Sequence, residues 1–570
     1  MLNYYDTEVF PFDWLVVIIN PVSKEKIAIV NDKQRLEEYY NKHKSEIWLG
    51  YNSRNYDTYI IKAILCGFNP YAVSRFIIHE KKAGWKYSDL FRNIQLYDYD
   101  VMVKDKSLKQ LEGFMGSKIK ETSVPFDIDR KLTAAEIAEE LEYCTNDVEQ
   151  LIEVFLRKKN EFDTHLDLIK IFNLSMDYIS KTQAQLTAAI LDCTKTKRDD
   201  EWDLEFVDTL QIKKYKHILD WFKNPKNQSY ENAYETEVCG VPHTFAWGGL
   251  HGCANAMHYK GVILHLDVTS FYPSIMIRYN MLTRNSKSPE KYKQIYDKRL
   301  ALKKAGLKKE QKPYKTLLNT TYGISGQSVS SAYDPRQRNS ICVNGQLLLL
   351  DLLEHLEGHC EVIQSNTDGL YVQIDDTDKA FSIVDDICYE WECRTGVSLE
   401  FENVTEMWQK DVHNYIAKFE DGSLVRKGSY VKNLSDLDYD LPIINEALVN
   451  KLVYKIPVEK TINDCTELRK FQKIVKIQGS YNFAWHNEKV LDGKVFRVFA
   501  SKLWHDTYIA KCKGEGMTLE KFANTPDNCF IINDSVKGMP IPAKLDKNYY
   551  IELSYKRLTD YGETANERTI

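Results

Sequence analysis

Four carboxylates in the N-terminal part of the chain have the types and spacing needed to hold divalent metal. In Asp6-Thr7-Glu8 two acids stand two positions apart, so on a strand they share a face. Asp57 closes the block Leu49-Gly50-Tyr51-Asn52-Ser53-Arg54-Asn55-Tyr56-Asp57 at the start of an apolar stretch. Asp147 follows Tyr143 by one helical turn, which projects phenol and carboxylate from one side. Two Mg²⁺ ions roughly 4 Å apart can activate a water and stabilise a departing oxygen, provided several hard oxygen ligands converge. Each motif alone reads first as a solvated surface or a helix cap; their order and spacing give them weight.

A second set lies farther along. Leu266-Asp267-Val268-Thr269-Ser270-Phe271-Tyr272-Pro273-Ser274 ends an apolar strand on a carboxylate and turns into a helix start, where backbone amides can cradle phosphate oxygens. Lys315, Asn319 and Tyr322 recur at i, i+4 and i+7 and share one helical face. The lysine can neutralise a phosphate, the amide can hold it, and the phenol can pack against a base pair. Arg299 and Lys303 are also one turn apart. An isolated basic run is more often a solvated face, but beside the Lys315 helix this one reads as a second phosphate-binding helix. Gln364-Ser365-Asn366-Thr367-Asp368-Gly369 joins two short strand patterns between Glu361 and Ile374 by a tight turn, which would hold Asp368 rigidly.

The elements around these residues follow from periodicity. Asp6 to Val17 reads as a strand, apolar on both faces from Trp14 onward and therefore central in its sheet. Further strands are predicted over 47–51 and 94–99, and a helix over 134–157, giving a mixed α/β unit that ends near residue 190. The charged stretch from Lys195 to Tyr234, with Asn224-Pro225-Lys226-Asn227-Gln228, reads as a boundary containing a short helix around Val207 to Phe222. From Gly261 a strand carrying Val262, Leu264 and Leu266 leads to Pro273, a residue favoured in the first turn of a helix.

A chain of 570 residues needs several cores. With 43% hydrophobic and 28% charged residues it has the composition of an ordinary globular protein and not of a disordered chain. Twelve cysteines without a Cys-x-x-Cys pair argue against zinc ribbons and a disulfide framework, and predict reduced thiols. No signal-like start and no membrane-length apolar run is present, so a cytoplasmic location is expected. The net charge of −6 decides little about nucleic acid, because binding depends on where positive charge sits.

The ordered motifs resemble those of the family B DNA polymerases. Asp-x-Glu, the Gly-Tyr-Asn block ending in Asp57, and Tyr143-x-x-x-Asp147 are similar to the three exonuclease motifs. The Asp267 block resembles motif A, with Phe271 in a position usually held by Leu, and Lys315 to Gly323 resembles motif B. Gln364 to Gly369 resembles motif C, with Asn366 in place of the first Asp and Gly369 in place of Ser. Phe245 to Gly252 is similar to the segment linking exonuclease to palm, and His413-Asn414-Tyr415 with Lys427-Gly428 resembles a primer-holding region in which His413 replaces lysine. Tyr415 reads equally as a core aromatic.

The resemblance implies an α/β and α+β multidomain fold: an RNase H-like exonuclease domain (1–190), a boundary region (191–235), palm (236–285 and 326–435), fingers (286–325) and thumb (436–570). It implies a template-directed polymerase with a 3′-5′ proofreading exonuclease and two Mg²⁺ per active site, with Mn²⁺ as a substitute. Asp6, Glu8, Asp57 and Asp147 would be exonuclease metal ligands beside Tyr143, and Asp267 and Asp368 the polymerase ligands. Tyr272, Arg299, Lys303, Lys315, Asn319 and Tyr322 would bind the nucleotide, and Gly248, Gly249, Tyr415 and Lys427 the DNA. Expected partners are DNA template-primer, dNTPs and replication accessory proteins, with no membrane. The absence of a domain before Asp6 suggests a phage or mobile-element replicase in a bacterial cytoplasm. Two rivals remain: a protein-primed polymerase, against which the short intervals between motifs speak, and a nuclease or binding protein with an inactive palm, for which Asn366 speaks.

Overall fold

The structure, a computed structural model, describes residues 1–513 and 518–563. The chain forms two compact units, one of residues 1–181, 434–447 and 456–553, the other of residues 182–433, 448–455 and 554–570. The stretch 436–570, expected as one terminal lobe, is thus divided between the units, and most of it belongs with the N-terminal residues. Among the described residues there is no disulfide, and no helix is long and apolar enough to cross a membrane.

In the first unit, strands β1 (Leu2–Val9), β2 (Trp14–Asn20), β3 (Glu25–Val30), β4 (Ile47–Gly50) and β5 (Tyr97–Asp100) form a sheet in the order β3-β2-β1-β4-β5. β1 pairs antiparallel with β2 and parallel with β4. The single strand predicted over Asp6 to Val17 is in fact the β1–β2 hairpin, closed by the Phe10 amide donating to the Asp13 carbonyl at 2.8 Å. Pro11 explains the break, because proline cannot donate to a central ladder. Helix α1 (Asp57–Cys66) and a short helix α2 (Leu108–Phe114) precede the long helix α3 (Ala134–Ile171). A capping box starts α3: Thr133 and Glu136 each bond the other's backbone amide, satisfying two orphan donors. The prediction of helix over 134–157 stops short because charged residues continue the turn-by-turn pattern, with Lys159 paired to Asp163 at 2.7 Å.

The C-terminal part of this unit contributes a sheet of Lys473–Lys476, Val495–Ala500 and Cys529–Ile531. Arg497, on its middle strand, is fully buried and donates to the carbonyls of Gly113, Ser117, Ile532 and Asp534 and to Gln472. Burial pushes its guanidinium down to about 10. Lys470 and Lys473 are held in ion pairs with Glu446 at 2.8 Å and Asp440 at 2.5 Å. Arg497→Leu removes the donor shared by four carbonyls, those of Gly113 and Ser117 in buried bonds, and is expected to cost this unit about 3 kcal/mol or more. An unchanged first thermal transition in that variant would refute the assignment.

The second unit is built on a sheet of nine strands, antiparallel throughout: β6 (Ala233–Val238), β7 (Val241–Ala246), β8 (Gly249–Cys253), β9 (His258–Val268), β10 (Glu361–Ser365), β11 (Gly369–Ile374), β12 (Leu399–Asp411), β13 (Asn414–Phe419) and β14 (Leu424–Lys427), ordered β14-β13-β12-β9-β11-β10-β8-β7-β6. After β9 come helices α4 (Phe271–Arg278), α5 (Pro289–Lys304), α6 (Lys312–Ser325) and α7 (Pro335–Leu356). The helix predicted over Val207 to Phe222 is confined to Lys216–Lys223. α7 is buried nearly throughout, and its cap Asp334 accepts from Arg284 at 2.6 Å, which also grips Asp200. The hairpin predicted around Asn366 is β10–β11, and the adjacency of β9 to β11 places both metal-binding candidates of this unit side by side.

Candidate active sites

In the first unit Asp6 and Glu8 project from one face of β1 toward α3. One oxygen of each and the Cys144 sulfur lie within 4.8 Å of one another. Asp57 stands in the first turn of α1, where its charge is favoured by the helix dipole, and accepts from Thr7 at 2.6 Å. Asp147, on α3, accepts from Lys109, whose ammonium also bonds Glu112 at 3.1 Å and lies 4.4 Å from the centre of the Tyr143 ring. Burial, then the charges of Asp57 and Asp147, holds the Asp6 carboxyl well above its usual range; burial and Asp6 do the same to Glu8. Asp57 is pushed up to about 7, chiefly by burial. All four acids and Tyr143 therefore belong to one electrostatic cluster, with Lys109 the nearest compensating cation. Crowded, poorly compensated carboxylates of this kind fit hard divalent cations.

Several members of this cluster lie outside the sequence motifs. Lys109 and Glu112 reach it from α2, and nothing in their local spacing announces this. Asp98, on β5, is buried, accepts from Tyr5 at 3.0 Å and Ser53 at 2.9 Å, and is pushed up to about 7 by burial. Glu140 and Cys144 precede Asp147 by seven and three positions, a helical spacing that was available in the sequence.

In the second unit a cavity of about 390 Å³ is lined by Asp267, Ser270, Tyr272, Arg299, Lys315, Asn319, Tyr322 and Asp368, among others. Asp267, near the end of β9, is register partner to Gly369 on one side and Glu400 on the other. The Val268 amide donates to the Asp368 carbonyl, and the Asn366 amide to that of Gly369, each at 2.8 Å, so the turn carrying Asp368 is fixed against β9. A Cβ at Gly369 would lie 2.9 Å from the Leu266 carbonyl oxygen, which accounts for glycine at this close approach. Burial pushes Asp267 up to about 6, with His265 opposing and Asp368, Glu400 and Glu402 adding to the rise. Two carboxylates converging on an open cavity, one from a strand and one from the adjacent turn, again form a hard-oxygen donor set suited to divalent cations.

The opposite wall comes from the helices. Ser270, at φ +50°, turns the chain from β9 into α4, and its hydroxyl accepts from Arg299. Tyr272 and Tyr322 pack with ring centroids 4.1 Å apart, closing one side of the cavity. Lys303 is absent from the lining: it pairs with Glu400, which also accepts from Thr269 at 2.9 Å. Gly249, at φ +149°, brings the Gly248-Gly249 loop against Thr367, whose hydroxyl oxygen would lie 3.2 Å from an added Cβ. Tyr415 is buried, its ring 5.7 Å from that of Tyr371, while Lys427, its register partner on β14, is exposed.

No family model matches the chain. It is 24% identical to DNA polymerase 1 of Saccharolobus solfataricus over 226 residues, which is 39% of this chain and 23% of that protein. It is 26% identical to a DNA polymerase of Archaeoglobus fulgidus over 290 residues, 49% of this chain and 31% of that one. The matched parts thus span only a quarter to a third of those relatives. A solved structure of the family B DNA polymerase from Pyrobaculum calidifontis aligns at 14% identity with a TM-score of 0.43, covering 99% of this chain and 78% of that one. Over part of its length the chain is thus similar in sequence to two archaeal DNA polymerases.

Proposed function

We propose that the chain is a template-directed DNA polymerase with a 3′-5′ proofreading exonuclease, extending nucleic-acid primers. The observation that carries this reading is the single cavity in which Asp267, Asp368, Tyr272, Arg299, Lys315, Asn319 and Tyr322 meet from four separate stretches of sequence. Asp267 and Asp368 would hold the divalent cations there; Asp6, Glu8, Asp57 and Asp147 would hold them in the first unit. Such ions supply Lewis acidity to the attacking oxygen and neutralise the leaving one.

The protein's own groups do the rest. Lys315 and Arg299 offset the charge that builds on a departing pyrophosphate, and Asn319 positions the phosphates. Lys303 is paired with Glu400, so its use on a triphosphate requires exchange of one carboxylate partner for another anion. Sequence readout belongs to the template, leaving the protein to contact backbone and shape. In the first unit Tyr143 orients the hydrolytic water, and Lys109 fixes the Asp147 carboxylate.

Tyr272 is braced by Tyr322 and would form the wall beneath the incoming sugar that excludes a 2′-hydroxyl. Tyr272→Ala or Tyr272→Val should raise rNTP incorporation relative to dNTP by about tenfold or more. An unchanged ratio removes that role. Primer extension on a primed template with Mg²⁺ tests the whole reading: products lengthened to the template end support it, and unextended primer with intact 3′ degradation would leave a nuclease with an inactive palm. A bacteriophage or mobile-element origin belongs to the same proposal.

A further inference from the structure

The face of α3 that meets β1 carries more than the motif residues. Glu140, Cys144 and Asp147 fall at helical spacing, and the first two are fully buried. The Cys144 thiol points at Asp6, with sulfur 3.8 Å from a carboxylate oxygen, and shares a 4.8 Å cluster with Asp6 and Glu8. Glu140 accepts from Thr122 through one oxygen; its other oxygen is buried and has no hydrogen-bond partner among the described residues. Its charge acts on Glu8. An unpartnered buried carboxylate oxygen is costly, and a thiol packed among carboxylates has no apolar reason to be there.

We propose that Asp6, Glu8 and Cys144 form a site for a thiophilic divalent cation such as Zn²⁺, on the α3 side of the proposed exonuclease centre and sharing two of its carboxylates, with the Glu140 carboxylate as a neighbouring charge. A sulfur and two carboxylate groups make a three-ligand set, open to a further ligand, of the borderline-soft kind that favours zinc, whereas Mg²⁺ and Ca²⁺ gain nothing from sulfur. On binding, the Cys144 S–H bond breaks, its proton passes to solvent, and a sulfur–metal bond forms. Zn²⁺ and Mg²⁺ would then compete for Asp6 and Glu8, so this cation would displace the pair used for hydrolysis. The competition rests on the exonuclease reading; the site itself does not.

Cd²⁺ is the probe, because a cadmium–thiolate bond absorbs in the ultraviolet and reports sulfur ligation directly. The full chain, stripped with a chelator, is titrated with up to about one Cd²⁺ per chain. Wild type should develop the charge-transfer band, Cys144→Ser and Cys144→Ala should lack it, and Glu140→Gln, which keeps the bond from Thr122, should weaken binding by about tenfold. Circular dichroism checks that each variant is folded. No band in the wild type, or the same band in both Cys144 variants, overturns the proposal, and unchanged affinity in Glu140→Gln shows that the Glu140 charge does not act on the site. A Cys144-dependent band in a chain that degrades no 3′ end would leave this site standing while the exonuclease reading fails; degradation without the band would do the reverse.

Discussion

Asp368→Asn will eliminate primer extension, by a factor on the order of a thousand or more, while degradation of a single-stranded 3′ end continues. That scale is expected where a group acts directly on charge at the reacting centre. The backbone of the turn is held by Val268 and by the Asn366 to Gly369 bond, not by the Asp368 side chain, so the substitution changes the donor set with little effect on the fold. Asn366→Asp should be tolerated or change only the preference between Mg²⁺ and Mn²⁺, because Thr367 and Asp368 line the cavity and Asn366 does not. Extension assays with each metal decide between them. Steady synthesis by Asp368→Asn, or complete loss in Asn366→Asp alone, would show that the two positions are assigned wrongly.

The double substitution Asp6→Ala with Glu8→Ala is expected to abolish 3′ degradation, again by about a thousandfold or more, and to leave primer extension in place. It carries a second, opposite signature. Burial and neighbouring acids hold both carboxyls far above their usual range, so in the absence of divalent cation these groups are a burden on the folded chain. With chelator present, the double variant should melt at the same temperature as wild type or higher. Degradation at the wild-type rate would sink the ligand assignment, and a large loss of thermal stability would show that the carboxylates serve the fold instead.

Much of this was legible in the sequence where periodicity alone fixes geometry. The spacing of Lys315, Asn319 and Tyr322 put them on one face of α6, and all three line the cavity. Asp267 at the end of a buried strand and Asp368 on a tight turn were placed correctly relative to their own elements. What the sequence could not express is what lies opposite. Arg299 and Lys303 share a helical face, yet one reaches Ser270 and the other Glu400, because strand register decides which acid stands beside Asp267. Lys109 is likewise invisible until α2 is packed against α3. Glu140 and Cys144, by contrast, lay within reach of a helical count back from Asp147. The break at Pro11 was also readable, since a proline inside a central strand argues against a single run.

The bonds from Arg497 to Gly113 and Ser117 bear on how such a chain can be divided and inherited. Residues 1–181 are not a self-contained cassette: the Gly113 and Ser117 carbonyls in their own α2 region take a donor from a segment that arrives some 380 residues later in synthesis. A fragment cut near residue 190 would emerge without the Arg497 donor and with its α2 loop uncovered. Recombination that swaps the front of the gene must therefore carry a matching stretch from the back, so the two ends are bound to diverge together.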